Sequence, residues 1–212
     1  QTGAEFGHAV GGAGDVNGDG FDDVIVGAPL FDAGHTNEGK AYVYNGTASG
    51  LAASPSWSND SNQSEAQTGY SVDGAGDVNG DGYADVVVGI RYWDGGDTNE
   101  GRAEVFLGSS SGLESVESWG FEPDRPSSYA GWKVAGAGDV NGDGHGDILI
   151  GAPYYPSACC WGNRQGRAWL YLGEDSADGV RNNGYWSVVG QDSGYLGAAL
   201  TGAGDLDGDG FA

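Results

Sequence analysis

The sequence predicts an all-β chain, a tandem array of four-stranded antiparallel blades, and three observations carry that prediction. The phrase GAGDVNGDG stands at 12–20, 74–82 and 136–144 and returns as GAGDLDGDG at 202–210. Its leading residues Asp15, Asp77, Asp139 and Asp205 are spaced 62, 62 and 66 residues apart, so one unit repeats along the whole chain. Each unit holds short β-branched runs closed by glycine, and no segment shows the apolar period of a helix.

Within each unit the elements follow in a fixed order. Behind the phrase come Val24-Ile25-Val26, Val86-Val87-Val88 and Ile148-Leu149-Ile150, too short for helices and suited to strands buried on both faces. A second strand reads Lys40 to Tyr44, Arg102 to Leu107 and Arg167 to Leu172. A third segment carries Trp57, Trp119 and Trp186, and a fourth leads into the next phrase with a glycine eight residues before its first Asp: Gly7, Gly69, Gly131 and Gly197. Four short strands per unit is the pattern of β-propeller blades. The repeats fall at about 1–62, 63–124 and 125–190, with 191–212 opening a fourth, all in a single domain over 1–212. Three blades and a fraction make an incomplete ring.

Of 212 residues 43 are glycine, well above the roughly 7% of ordinary proteins, and their fixed places between apolar runs mark turns rather than disorder. Eight basic against 31 acidic residues give a formal charge of −23, which repels nucleic acid and anionic membranes. No apolar stretch approaches the length of a membrane-spanning helix and no signal peptide is recognisable. A chain that begins at Gln1 and lacks Met reads as a processed or excised segment, with a truncated longer protein expected ahead of a subunit completed by other chains. Asn45-Gly46-Thr47, Asn59-Asp60-Ser61 and Asn62-Gln63-Ser64 match the glycosylation acceptor pattern.

The acidic phrase predicts calcium loops. In the first copy oxygen-bearing side chains stand at loop positions 1, 3, 5 and 9, Asp15, Asn17, Asp19 and Asp23, and the carbonyl of Phe21 at position 7 is a fifth donor. Gly18 and Gly20 permit the positive φ such a curl needs. A hard oxygen set without His or Cys selects Ca²⁺ over zinc or copper. The second and third copies repeat it as Asp77, Asn79, Asp81, the Tyr83 carbonyl and Asp85, and as Asp139, Asn141, Asp143, the His145 carbonyl and Asp147. The fourth offers Asp205, Asp207, Asp209 and the Phe211 carbonyl, and the sequence ends one residue before its last carboxylate, so three complete loops and one incomplete are expected. Asp-Gly and Asn-Gly pairs are also ordinary turn formers, but four copies with one ligand spacing outweigh that reading. An EF-hand or dockerin loop is rejected because the twelfth residues, Val26, Val88 and Ile150, are apolar and lie in strands.

These residues resemble the FG-GAP repeat of integrin α-subunit-type β-propellers. The first unit shows both namesakes, Phe6-Gly7 and Gly27-Ala28-Pro29, around the loop Asp15 to Asp23; the third keeps Gly151-Ala152-Pro153, and the second reads Gly89-Ile90-Arg91. Thr68, Ala130 and Leu196 replace the Phe of the first namesake. The resemblance implies a secreted or cell-surface disc, its calcium loop joining the first two strands of each blade on one face and its ligand face opposite. On that face it places the connections between successive blades and those between second and third strands, 30–38, 91–100 and 154–165, the latter with Phe31, Tyr92, Trp93, Tyr154, Tyr155 and Trp161, facing a protein or carbohydrate ligand or else packed between blades.

Cys159 and Cys160 lie in the longest of these connections and form either a strained vicinal disulfide, in an oxidising compartment, or two free thiols. His8, His35 and His145 fall at unrelated points of the repeat and build no catalytic set, so a non-catalytic recognition or adhesion scaffold is expected. Two alternatives stand beside it, a structural module assembling with other chains into a ring or filament, and the propeller appendage of a polysaccharide-active enzyme. There is no Arg-Gly-Asp, and integrin-like ligand specificity is not implied.

Overall fold

The computed structural model describes residues 1–156 and 164–212. Among them twelve strands form three antiparallel sheets and there is no helix. β1 (Ala9–Gly14), β2 (Asp23–Ala28), β3 (Lys40–Tyr44) and β4 (Trp57–Asn59) lie side by side in chain order. β5 (Thr68–Gly76), β6 (Asp85–Ile90), β7 (Arg102–Phe106) and β8 (Trp119–Phe121) form the second sheet. β9 (Lys133–Gly138), β10 (Asp147–Ala152), β11 (Arg167–Gly173) and β12 (Val180–Val189) form the third. The sheets are consecutive blades of an incomplete β-propeller, and the ring is not closed.

The core lies between blades rather than within them. All six residues of β6 are buried, and they alternate between two interfaces. Val86 and Val88 pack with Ile25, Val43 and Val72, whereas Val87 joins Val134, Ile148 and Ile150 on the other side. That alternation follows from the two-residue period of a strand, and the unbroken apolar run follows from having a neighbour on each face. Each such side chain removed from water contributes about 1.5–3 kcal/mol. The outer-strand tryptophans seal the interfaces: Trp57 sets its ring edge on Phe106 at 4.8 Å and donates Nε1–H to the Glu114 carbonyl at 2.8 Å. Trp119 repeats this with Tyr171 at 4.8 Å and Asn182 Oδ1 at 2.8 Å. Trp186 is 58% exposed, because among the described residues no fourth sheet lies against β12.

The two namesake glycines of the repeat meet across each interface. A Cβ on Gly27 would fall 1.9 Å from the Gly69 carbonyl oxygen, and Gly89 and Gly151 stand in the same relation to Gly131 and Gly197 at 2.1 Å. Only a residue without a side chain lets the backbones approach this far. Beside them the next blade is stitched on by backbone bonds: Thr68 N–H to the Glu38 carbonyl at 2.8 Å, Ala130 N–H to Glu100 at 2.8 Å and Leu196 N–H to Gln165 at 3.2 Å. Because β2, β6 and β10 run from the acidic loops to these contacts, the loops lie at one end of the strands and the interblade connections at the other.

Candidate metal-binding loops

The first three acidic phrases close β1 onto β2, β5 onto β6 and β9 onto β10, and in all four the side chains fold back onto their own backbone. Asp15 accepts the Asp19 N–H at 3.0 Å and the Gly20 N–H at 2.8 Å, Asn17 Oδ1 accepts Asp19 N–H at 3.0 Å, and Asp19 accepts Phe21 N–H at 3.0 Å. Asp77, Asn79 and Asp81 repeat the pattern with Asp81, Gly82 and Tyr83 N–H donors, at 2.9–3.1 Å. So do Asp139, Asn141 and Asp143, with Asp143, Gly144 and His145 as donors at 2.8–3.1 Å. Gly18 and Gly20 take φ of +70° and +90°, which lets oxygens at positions 1, 3 and 5 converge. In the last phrase the Asp205, Asp207 and Asp209 carboxylates bring oxygens within 4.8 Å of one another.

The ninth position behaves differently, and its geometry was not legible in the loop spacing. Asp23, Asp85 and Asp147 are buried, and each clamps two backbone donors with its two oxygens. Asp85 Oδ2 accepts Val78 N–H at 2.7 Å and Oδ1 accepts Gly108 N–H at 2.8 Å. Asp23 holds Val16 and Gly46, and Asp147 holds Val140 and Gly173, at 2.8–3.0 Å. The carboxylate thereby ties the entrance of the loop to the exit of the third strand of its blade. The signal for it in the sequence is the glycine that ends each third strand. Burial pushes these carboxyls up, the Asp85 group to about 7, against the opposing pull of the two N–H bonds. A cation at the loop would favour the ionised form and offset the mutual repulsion of positions 1, 5 and 9. The donor set, all oxygen and mostly carboxylate, fits calcium.

Successive loops also touch. Ala84 N–H bonds the Asp15 carbonyl at 3.1 Å, Gly146 N–H the Asp77 carbonyl at 2.7 Å and Ala212 N–H the Asp139 carbonyl at 2.9 Å. The position 7 rings of Tyr83, His145 and Phe211 lie over Gly18, Gly80 and Gly142 of the preceding loop. The loops therefore form one connected row along the face.

On the opposite face the aromatics named from the sequence divide into two groups. Phe31 edges onto Tyr42 at 6.2 Å, Trp93 bonds Glu122 through Nε1 at 3.2 Å, and Tyr155 packs on Trp169 at 5.5 Å, all within their own blades. Tyr92 and Tyr154 instead join a strip that crosses blades, with Tyr129 5.2 Å from Tyr92 and 5.1 Å from Tyr154. Trp132 lies 5.3 Å from Tyr154 and 5.3 Å from Tyr70, and Tyr195 lies 5.2 Å from Tyr154. Tyr129, Trp132 and Tyr195 come from interblade connections and Tyr70 from the start of β5, and all four were missed by sequence reasoning. Their one signal is a place within two residues of the glycines Gly69, Gly131 and Gly197. Trp161, Cys159 and Cys160 lie outside the described residues.

Comparison with known proteins gives the same repeat. The FG-GAP repeat profile matches residues 6–44 and 130–171, and the FG-GAP-like repeat profile matches 77–150, together more than half of the chain. Human integrin alpha-IIb is 35% identical over 159 residues, covering 72% of this chain and 15% of that protein. Integrin alpha-5 of Xenopus laevis is 31% identical over 163 residues, covering 72% and 15%, and integrin alpha-PS2 of Drosophila melanogaster 32% over 168 residues, covering 72% and 12%. The chain thus spans less than a sixth of the length of these relatives. With its namesake glycines in contact across both blade interfaces and its repeats matched along most of its length, the chain belongs to the FG-GAP repeat family, as a propeller segment of the integrin α-subunit type.

Proposed function

We propose that this segment is a calcium-braced propeller scaffold for recognition or adhesion, secreted or on a cell surface, with its blades at about 1–62, 63–124 and 125–190 and no catalytic centre of its own. The observation that carries the reading is the row of loops in which the position 1 carboxylate accepts the same glycine N–H in every copy, with three carboxylates gathered within 4.8 Å in the fourth. Asp15, Asn17, Asp19 and Asp23 with the Phe21 carbonyl would hold one ion. The sets Asp77, Asn79, Asp81, Asp85 with Tyr83 and Asp139, Asn141, Asp143, Asp147 with His145 would hold two more, and Asp205, Asp207, Asp209 with Phe211 would contribute to a fourth. Bound calcium supplies positive charge to clustered carboxylates. The protein's own part is to curl each loop, to clamp it through position 9 and to link it to the next.

Kinship with integrin alpha subunits supports adhesion or recognition through a protein or carbohydrate ligand. The described residues contain no helix long and apolar enough to cross a membrane. A second reading, completion by further blades of the same or another chain, is favoured by Trp186, exposed where Trp57 and Trp119 are covered by a neighbouring sheet.

Calorimetric titration of metal-stripped protein with calcium tests the metal assignment. About one ion per complete loop is expected, and Asp77→Ala is expected to remove one tight site while leaving the others, since it deletes the position 1 carboxylate without touching the buried clamp. Titration with no saturable binding, or an unchanged stoichiometry in the variant, contradicts the assignment.

A further inference from the structure

Arg91 stands where the first and third blades have Pro29 and Pro153. Its guanidinium carbon lies 3.8 Å from the Tyr70 ring centroid, 4.3 Å from that of Tyr92 and 5.0 Å from that of Trp132. Its Nε is buried without a hydrogen-bond partner. No carboxylate pairs with it among the described residues, in a chain with 31 acidic and eight basic residues. Arg102, by contrast, is ringed by Glu104, Glu117 and Glu122. On the same face Arg164 lies 4.6 Å over the Tyr154 ring, and it too has no carboxylate partner among the described residues. The hydroxyls of Tyr70, Tyr92, Tyr129 and Tyr154 make no hydrogen bond among the described residues, although every ring is half-buried in the strip.

A guanidinium flanked by rings offers its N–H edge, the geometry that grips a planar carboxylate with two parallel bonds. Around it the strip offers unspent phenol donors and the half-buried rings of Tyr129 and Trp132, which suit the hydroxyls and C–H groups of a sugar. A single acidic side chain would satisfy Arg91 and leave the remaining donors idle, whereas a polymer with repeated acceptors uses the strip's length. The net charge of −23 opposes an anionic ligand, and salt screens the part of it that lies beyond about 8 Å.

We propose that this strip binds a carboxylate-bearing polysaccharide, a chain of uronic acid units, with Arg91 gripping one carboxylate. The proposal rests on the recognition reading above and names its ligand class. The test titrates the full chain, in calcium, with a short hyaluronate oligosaccharide, a neutral chitin oligosaccharide and a glutamate-rich peptide, and repeats the titrations with Arg91→Gln and Tyr92→Phe while melting curves monitor the fold. The hyaluronate probe is expected to bind, the neutral probe far more weakly, and Arg91→Gln to weaken hyaluronate at least about tenfold while still melting cooperatively, at a temperature lowered only by the lost ring contacts. Tyr92→Phe is expected to give a smaller loss.

Absence of hyaluronate binding, or equal binding by Arg91→Gln, overturns the proposal, as does preference for the glutamate peptide, which moves the ligand to the protein class. Calcium-dependent stability without hyaluronate binding leaves the scaffold standing and removes this proposal. Hyaluronate binding that persists in a calcium-insensitive protein supports this proposal and removes calcium from the account above.

Discussion

Asp85→Ala is expected to lower the melting temperature by roughly 10 °C. The side chain is fully buried, and its two oxygens are the acceptors for Val78 and Gly108 N–H. Alanine leaves both donors without a partner inside the fold, at about 1–3 kcal/mol each. In a domain of this size each kcal/mol corresponds to about 2–4 °C. Asp85→Asn restores one acceptor and turns an amide donor toward the other N–H, so an intermediate loss is expected. Because the clamp acts through backbone donors, the deficit should persist after chelation, which separates the role of position 9 from that of positions 1, 3 and 5. A melting temperature within about 2 °C of the parent, measured by circular dichroism, would show that the clamp contributes little.

Gly89→Ala strikes the contact between the second and third blades. Its methyl group would sit 2.1 Å from the Gly131 carbonyl oxygen, and the obstacle is backbone on both sides, so no side-chain rotation relieves it. The blades must separate locally. Overpacking of this kind costs about 1–3 kcal/mol, and an unyielding backbone puts the expected loss at the upper end or beyond. In a repeat protein stability is shared between units and their interfaces, so weakening one interface should also split the transition. Scanning calorimetry is expected to show a broadened or double endotherm. Gly12→Ala is the control: a Cβ there meets nothing within 4 Å, and near-parental melting is expected. A single sharp transition in Gly89→Ala, at the parental temperature, would mean that the namesake glycines do not set the blade spacing.

Much of this architecture was legible in local sequence. Val24-Ile25-Val26 and Val86-Val87-Val88 announce strands flanked on both faces, and the structure buries all of the second run, whereas Val24 in the first blade, with a neighbouring sheet on one side only, is half-buried. The fixed glycines were legible as turns, but their main service is interblade contact, which no local pattern reveals because the partner lies some forty residues away in sequence. β12 runs from Val180 to Val189, longer than β4 or β8, and the polar residues around Trp186 hid its extent. At the acidic loops the converging oxygens follow from spacing alone, whereas the dual bonding of Asp23, Asp85 and Asp147 depends on where the third strand ends. The aromatic strip was half visible for the same reason. Tyr92 and Tyr154 follow a strand within their own repeat, and Tyr129 and Trp132 reach them only once blades are stacked.

The most direct test of the account is the melting temperature in saturating calcium and again after chelation that demonstrably strips the metal. At a free concentration of a hundred times its Kd, each ion bound only by the folded chain adds about 2.7 kcal/mol. With linked loops occupied in successive blades, the account predicts a rise on the order of 10 °C or more in calcium. Identical melting temperatures with and without bound metal would contradict it, and would leave the acidic loops as turns held by their own hydrogen bonds.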